Sequence, residues 1–233
     1  MGISRLACLF LLLSSLHSYA DNIRLVTFYA PPFVNQESNP DLGTTYKIIL
    51  DSFEQANLSF EVEFSPKSRA LKSTKLTKDV CTFPLARSQL LEADFIWVGP
   101  IAISQYALYY QEPQPAHLFT ISDAREFKIA AYEGYSVSQQ LKEQGFNITV
   151  TDSVDQGIKM LEEKSVDYWL SDTRTAETIA SNLAIPMTNQ PFVFLTDIKY
   201  LACNKSTEPL FVAKLQSQIS AMIASGKVNI SFR

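Results

Sequence analysis

The hydrophobic and polar positions of this chain switch repeatedly between a period of two and a helical period. Asn22–Phe28 (NIRLVTF) is β-branched and apolar and stops at Ala30-Pro31-Pro32, which reads as a strand entering a turn. Gly43 precedes TTYKIILDSFEQA, where Tyr46, Ile49, Leu50 and Phe53 recur at spacings of three and four, the mark of an amphipathic helix. Phe60–Phe64 alternates as a strand, and Pro66 opens a helix through Arg69 and Leu71. Val80–Leu85 is a buried strand, and Phe95–Val98 and Gln105–Tyr110 are two further extended runs.

The same alternation restarts after the polar, proline-bearing stretch Gln111–Ala116. Phe127–Tyr132 is a strand, followed by Gly134 and a helix from Ser136; Asn147–Val150 is the next strand. Ser153-Val-Asp-Gln156 has the spacing of a capping box for a helix carrying Val154, Ile158 and Leu161. Val166–Leu170 is a strand, and Asp172 starts another helix. Tyr200–Cys203 is extended, and a long helix puts Phe211, Leu215, Ile219 and Met222 on one stripe before Gly226 ends it. Two rounds of strand–helix alternation with a break near residue 111 predict an α/β fold of two lobes, each a parallel sheet covered by helices. Ligands of open α/β sheets bind in the crevice outside the strand carboxyl ends, so paired lobes leave a crevice for a guest.

The N-terminus changes the boundaries. Arg5 followed by LACLFLLLSSL and the small residues of Ser18-Tyr19-Ala20 reads as a secretory signal peptide over 1–20, with the mature chain starting at Asp21. Cys8 lies inside that apolar core, which argues against lipid attachment there. No later run is long and apolar enough to span a bilayer, so the mature product is expected to be soluble and exported. Without Arg5, 19 of the 20 basic residues remain against 24 acidic, a net charge near −5 that gives no footprint for nucleic acid.

Scarce residues exclude much chemistry. His117 is the single histidine of the mature chain and lies in the proline-broken QEPQPAHLF, which argues against a zinc site and a Ser-His-Asp triad. The seven glycines form neither GxGxxG nor GxxxxGK[ST], so no phosphate-cradling loop is written here. No cofactor is expected. Two cysteines, Cys81 and Cys203, survive processing, too few for a disulfide scaffold, and whether they pair stays open. Sequons at Asn57, Asn147, Asn204 and Asn229 matter only in a glycosylating host.

Many short pieces then fall in one order. Tyr29-Ala-Pro-Pro-Phe33, Gly43 with its helix, Arg69-Ala-Leu71, Asp79 with its strand, Trp97-Val-Gly-Pro100, Tyr132-Glu-Gly-Tyr-Ser136, Val166-Asp167, Asp172 and the closing Ala224-Ser-Gly226 together resemble the family 3 extracellular solute-binding proteins of bacteria. These are periplasmic receptors for amino acids and similar polar solutes, and the resemblance runs over essentially the whole mature chain. It implies a two-lobed periplasmic binding fold joined by hinge strands, with lobe 1 at 21–105 plus 200–233 and lobe 2 at 106–199. It also places Cys81 and Cys203 both in lobe 1, on strands that can be neighbours, which keeps a disulfide in play.

The resemblance implies site residues too. The family's arginine clamp for a ligand carboxylate, six positions before Trp97, falls on Leu91, which carries no charge. Arg87, one helical turn earlier, or Arg69 at a helix start is then the candidate for anion recognition, against the plainer reading of a solvated arginine lying on apolar neighbours. Asp172 matches the carboxylate that receives a ligand ammonium, although Asp before TRTAETIA is also a good helix N-cap. Ser136 matches a hydroxyl that, with the amides of its helix start, receives the carboxylate from lobe 2, its plainer role being a cap through Gln139. Tyr29 and Tyr135 are candidates to enclose the ligand, and serve equally as packing aromatics.

The expectation is a monomeric periplasmic binding protein, not an enzyme, that captures a small polar solute for an inner-membrane ABC transporter. A sensory module docking on a membrane signalling protein is the alternative. A dehydratase-like enzyme on this fold, with Glu133 and Asp172 as acid and base, is the rival from another class.

Overall fold

The computed structural model describes residues 22–187 and 190–228; the stretch 1–20, read above as a signal peptide, and the sequon at Asn229 lie outside them. The strands are β1 (Ile23–Thr27), β2 (Phe60–Phe64), β3 (Val80–Ala86), β4 (Phe95–Tyr109), β5 (Ile129–Tyr132), β6 (Ile148–Thr151), β7 (Tyr168–Asp172) and β8 (Phe192–Asn204). The helices are α1 (Thr44–Gln55), α2 (Lys67–Leu76), α3 (Gln89–Glu92), α4 (Ser136–Glu143), α5 (Gln156–Glu162), α6 (Thr173–Leu183) and α7 (Pro209–Ala224). The strands join in the order β2-β1-β3-β8-β4-β7-β5-β6.

Within each half the pairing is parallel: β1 with β2 and β3, and β5 with β6 and β7. The two halves are stitched by the long strands β4 and β8, which run antiparallel to each other and to β7 and β3 respectively. Register decides what this does. Ala86, at the end of β3, lies opposite Lys199, and Asp172, at the end of β7, lies opposite Tyr106. Lys199 and Tyr106 sit in the interior of β8 and β4, so the carboxyl ends of both parallel sets point toward the middle of the molecule. A crevice forms where they converge, as the strand–helix alternation predicts.

Each half has its own core. Phe53, Phe83, Ile49, Leu215 and Ile219 pack together in the first, so the apolar faces of α1 and α7 meet over β3 and β8. Ile129, Leu170, Tyr168 and Leu141 pack in the second, with Trp169, Ile158 and Ala176 on the opposite face of its sheet. The stripe Phe211, Leu215, Ile219 and Met222 is buried as its spacing requires. A disulfide joins Cys81 of β3 to Cys203 of β8, residues directly opposite in the antiparallel register.

Several elements differ from the sequence reading. Phe95–Val98 and Gln105–Tyr110 belong to one strand, because the shift in register between Val98 and Ala102 bends β4 without ending it. Gln216 of α7 bonds both Gly99 N and Gly99 O, satisfying the backbone at that bend. The strand read at Tyr200–Cys203 begins at Phe192. The capping box Ser153–Gln156 does not form: Ser153 donates to Asp155 and the helix starts only at Gln156.

The first wall of the crevice depends on a tight turn. Thr45 N, at the start of α1, bonds Phe33 O at 3.0 Å and pins the Tyr29–Phe33 loop against the helix. Gly43 precedes it at φ 95°, and a Cβ there would lie 2.5 Å from Phe33 O. Gly43→Ala therefore meets both the left-handed penalty and a backbone clash, and should cost about 1–3 kcal/mol in chemical denaturation. An unchanged midpoint would contradict this account of the turn.

Candidate functional site

The crevice is a cavity of about 710 Å³ lined from both halves. The first half contributes Phe28–Pro31 and Phe33 from the loop after β1, Lys67 and Leu71 from α2, and Pro84–Ser88 with Leu91 from the end of β3 onward. The second contributes Glu133–Ser136 with Gln139 and Gln140 of α4. Tyr106 of β4 and Leu195, Asp197 and Lys199 of β8 line it from the joining strands. Another hollow, of about 650 Å³, lies against α6, and Glu177 is the one charged residue among its described lining residues. The interlobe cavity, with ionisable groups from each wall, is the better candidate for recognising a polar solute.

Tyr29, Arg87, Tyr135 and Ser136 come together on its walls. Tyr29 is 42% exposed and its ring meets Tyr132 of the second half edge-on at 6.4 Å, so the two halves touch at the cavity. Ser136 is the first residue of α4 and not its cap, a position held by Tyr135 without a side-chain bond. Its exposed hydroxyl is therefore not spent on capping. Leu91, at the position of the family's clamp, lines the cavity as an apolar residue.

Arg87 is paired. Its guanidinium makes a two-pronged contact with Glu92, Nε–Oε2 at 2.7 Å and Nη2–Oε1 at 2.5 Å, and lies over the rings of Trp97 and Tyr200. Both readings of this residue thus apply in part: it faces the cavity, and its charge is already matched.

Two candidates lie elsewhere. Arg69 is exposed on α2 and does not line the cavity, because it falls two positions after Lys67, on another face of the helix. Asp172 is fully buried behind the wall. Its Oδ1 accepts from the Arg174 and Thr175 amides, capping α6, and its Oδ2 accepts from Ser104 Oγ at 2.5 Å. Burial raises the pKa of this carboxyl, against the lowering effect of those hydrogen bonds. With both oxygens occupied and out of reach of the cavity, Asp172 acts as a structural cap here and not as an ammonium seat. Glu133 and Asp172 consequently do not share the cavity as an acid–base pair. His117 packs against Phe119 away from it.

The structure adds cations that the sequence reading missed. Lys199 is a buried lysine, 8% exposed, whose ammonium is 3.1 Å from Asp197 Oδ2 and lies over the Tyr106 ring. Lys67 is exposed as a residue, yet its ammonium runs back over the Phe28 ring, 5.8 Å from the centroid. Desolvation there lowers its pKa, the Lys199 charge lowers it further, and Asp197 opposes both. A signal for the β8 groups was available: Leu195, Asp197 and Lys199 alternate with period two and so face one side of a strand.

No protein-family model and no curated protein sequence matches the chain. Solved structures do. The ligand-binding core of GluR0 in complex with L-glutamate superposes with a TM-score of 0.71 at 12% identity, over 89% of this chain and 94% of the other. A histidine kinase sensor domain with similarity to periplasmic binding proteins gives 0.70 at 14%, over 89% and 92%. A mutant of ArgBP from T. maritima gives 0.68 at 14%, over 89% and 92%. The chain has a two-lobed, periplasmic-binding-protein-like fold. In this fold β4 and β8 are the strands that join the lobes, and the cavity at their middle is the crevice between them.

Proposed function

We propose that the protein is a periplasmic binding module that captures a small polar solute between its lobes and releases it unchanged, for delivery to an inner-membrane transporter. The observation that carries this reading is a cavity walled by both lobes and by the joining strands, with Lys67, Arg87, Asp197, Lys199 and Glu133 around an aromatic and aliphatic lining. A guest that touches both walls stabilises the closed arrangement by its differential contacts, which is all that hinge closure needs. The volume suits a metabolite. Among the described residues no helix is long and apolar enough to cross a membrane, and no cluster of His, Cys, Asp and Glu could hold a metal ion.

A sensory role, with the closed form read by a membrane signalling protein, is the second reading; the similarity to a histidine kinase sensor domain favours it. Both roles need the same capture step. Thermal-shift screening of the mature protein against amino acids, polyamines, organic acids and small peptides tests that step. One chemical class should raise the melting temperature, since a ligand at a hundred times its Kd adds about 2.7 kcal/mol to the native state. Mass spectrometry should recover the solute intact after prolonged incubation. A panel without any stabilising member would sink the binding reading, and conversion of the solute would make the protein an enzyme.

A further inference from the structure

Neither charge seat that the resemblance implies for an amino acid is available. The clamp position, Leu91, lines the cavity as an apolar side chain. Asp172 is buried behind the wall, its carboxylate spent on Ser104 and the α6 amides. Among the described residues two carboxylates do line the cavity, Asp197 and Glu133. Asp197 is held by the buried Lys199 ammonium at 3.1 Å, so a guest cation there would strip a buried lysine of its counter-charge. Glu133 is exposed, where water and salt screen its pull on an ammonium.

The cations are the opposite case. Arg87 is matched by Glu92, but Lys67 has no ion-pair partner among the described residues. Lys199 has three ammonium protons, of which Asp197 accepts one. Lys67 and Lys199 therefore set two positive charges against the single charge of Asp197. Resting on the solute-binding reading above, we propose that the guest is an organic acid without an ammonium group, its carboxylate seated on Lys67. Burial and the Lys199 charge both disfavour the Lys67 ammonium in the empty cavity, and Asp197 opposes them, so a seated anion relieves a cost already present. An α-ammonium would bring a further cation into the same cavity with no desolvated carboxylate left to receive it. Phe28, Leu71, Leu85 and Leu195 offer apolar contact to the rest of the acid.

Pairs of acids that differ only by the amino group isolate this choice. Calorimetric titration at neutral pH and constant ionic strength would compare propionate with alanine, hexanoate with norleucine, succinate with aspartate, and glutarate with glutamate. In every pair that binds, the acid should be the tighter member, by about ten-fold or more in the best pair. Lys67→Gln should lose about ten-fold or more of that affinity with the apo melting temperature unchanged or raised, while Lys67→Arg retains part of it. An amino acid binding as tightly as its deamino partner would overturn the assignment, as would acid binding indifferent to Lys67→Gln. Silence from all four pairs, with a ligand of another class found in the thermal-shift panel, would also overturn it and leave the solute-binding reading standing. Silence from the pairs and the panel together would sink both.

Discussion

Breaking the Cys81–Cys203 disulfide, by reduction or in the Cys81→Ala/Cys203→Ala variant, should lower stability by about 4–5 kcal/mol in urea denaturation. The two residues are 122 positions apart, and closing a loop that long removes a large conformational entropy from the unfolded chain. Both sulfurs are fully buried in the core of the first lobe, so the alanine variant also leaves a small cavity. The enclosed loop contains β4 through most of β8, hence the entire second lobe. The bond therefore ties together the two chain segments that build lobe 1 on either side of lobe 2. A loss under about 1 kcal/mol would mean that the unfolded chain is already compact there and that the bridge adds little.

Asp172→Ala should cost about 2–4 kcal/mol. It removes an N-cap, worth about 1 kcal/mol, and orphans the buried Ser104 hydroxyl, worth about 1–3 kcal/mol. Asp172→Asn keeps the carbonyl acceptor for the Arg174 and Thr175 amides and should cost little or stabilise. The sign with pH separates the two effects. Burial raises the native pKa above the ordinary carboxylate value, so the folded state holds its proton to higher pH than the unfolded one. Stability from this group consequently falls as pH rises from the ordinary value through the raised one, and stays lower above it. Asp172→Asn lacks that fall, and its stability relative to the parent should grow across the same window. A gap that shrinks with rising pH would contradict the assignment of desolvation as the leading cause. Because the carboxylate faces away from the cavity, its neutral variant should bind solute nearly as well as the parent.

The fold was legible because it rests on periodicity. The stripes of α1 and α7, the parallel strands and the Asp172 cap all come from local spacing, and each is present. What escaped was decided by distance along the chain. Asp197 and Lys199 matter because β8 passes beside β3 and β4, a pairing that no local window contains. Lys67 reads locally as an ordinary helix-start lysine; only the packing of α2 beside Phe28 turns its ammonium to the cavity. Asp172 shows the converse. Its match to a ligand carboxylate and its match to a cap look identical in sequence, and burial with Ser104 decides between them. Arg87 likewise carries a matched charge only because Glu92 stands within reach on the following short helix.

The central claim is that one guest is gripped by both lobes. Hydrogen exchange of the mature protein, with and without the solute that most raises its melting temperature, tests this most directly. Protection should increase together in 28–33 and 84–88 of lobe 1 and in 133–140 of lobe 2. Protection confined to one lobe, or appearing only on surfaces remote from the crevice, would contradict it.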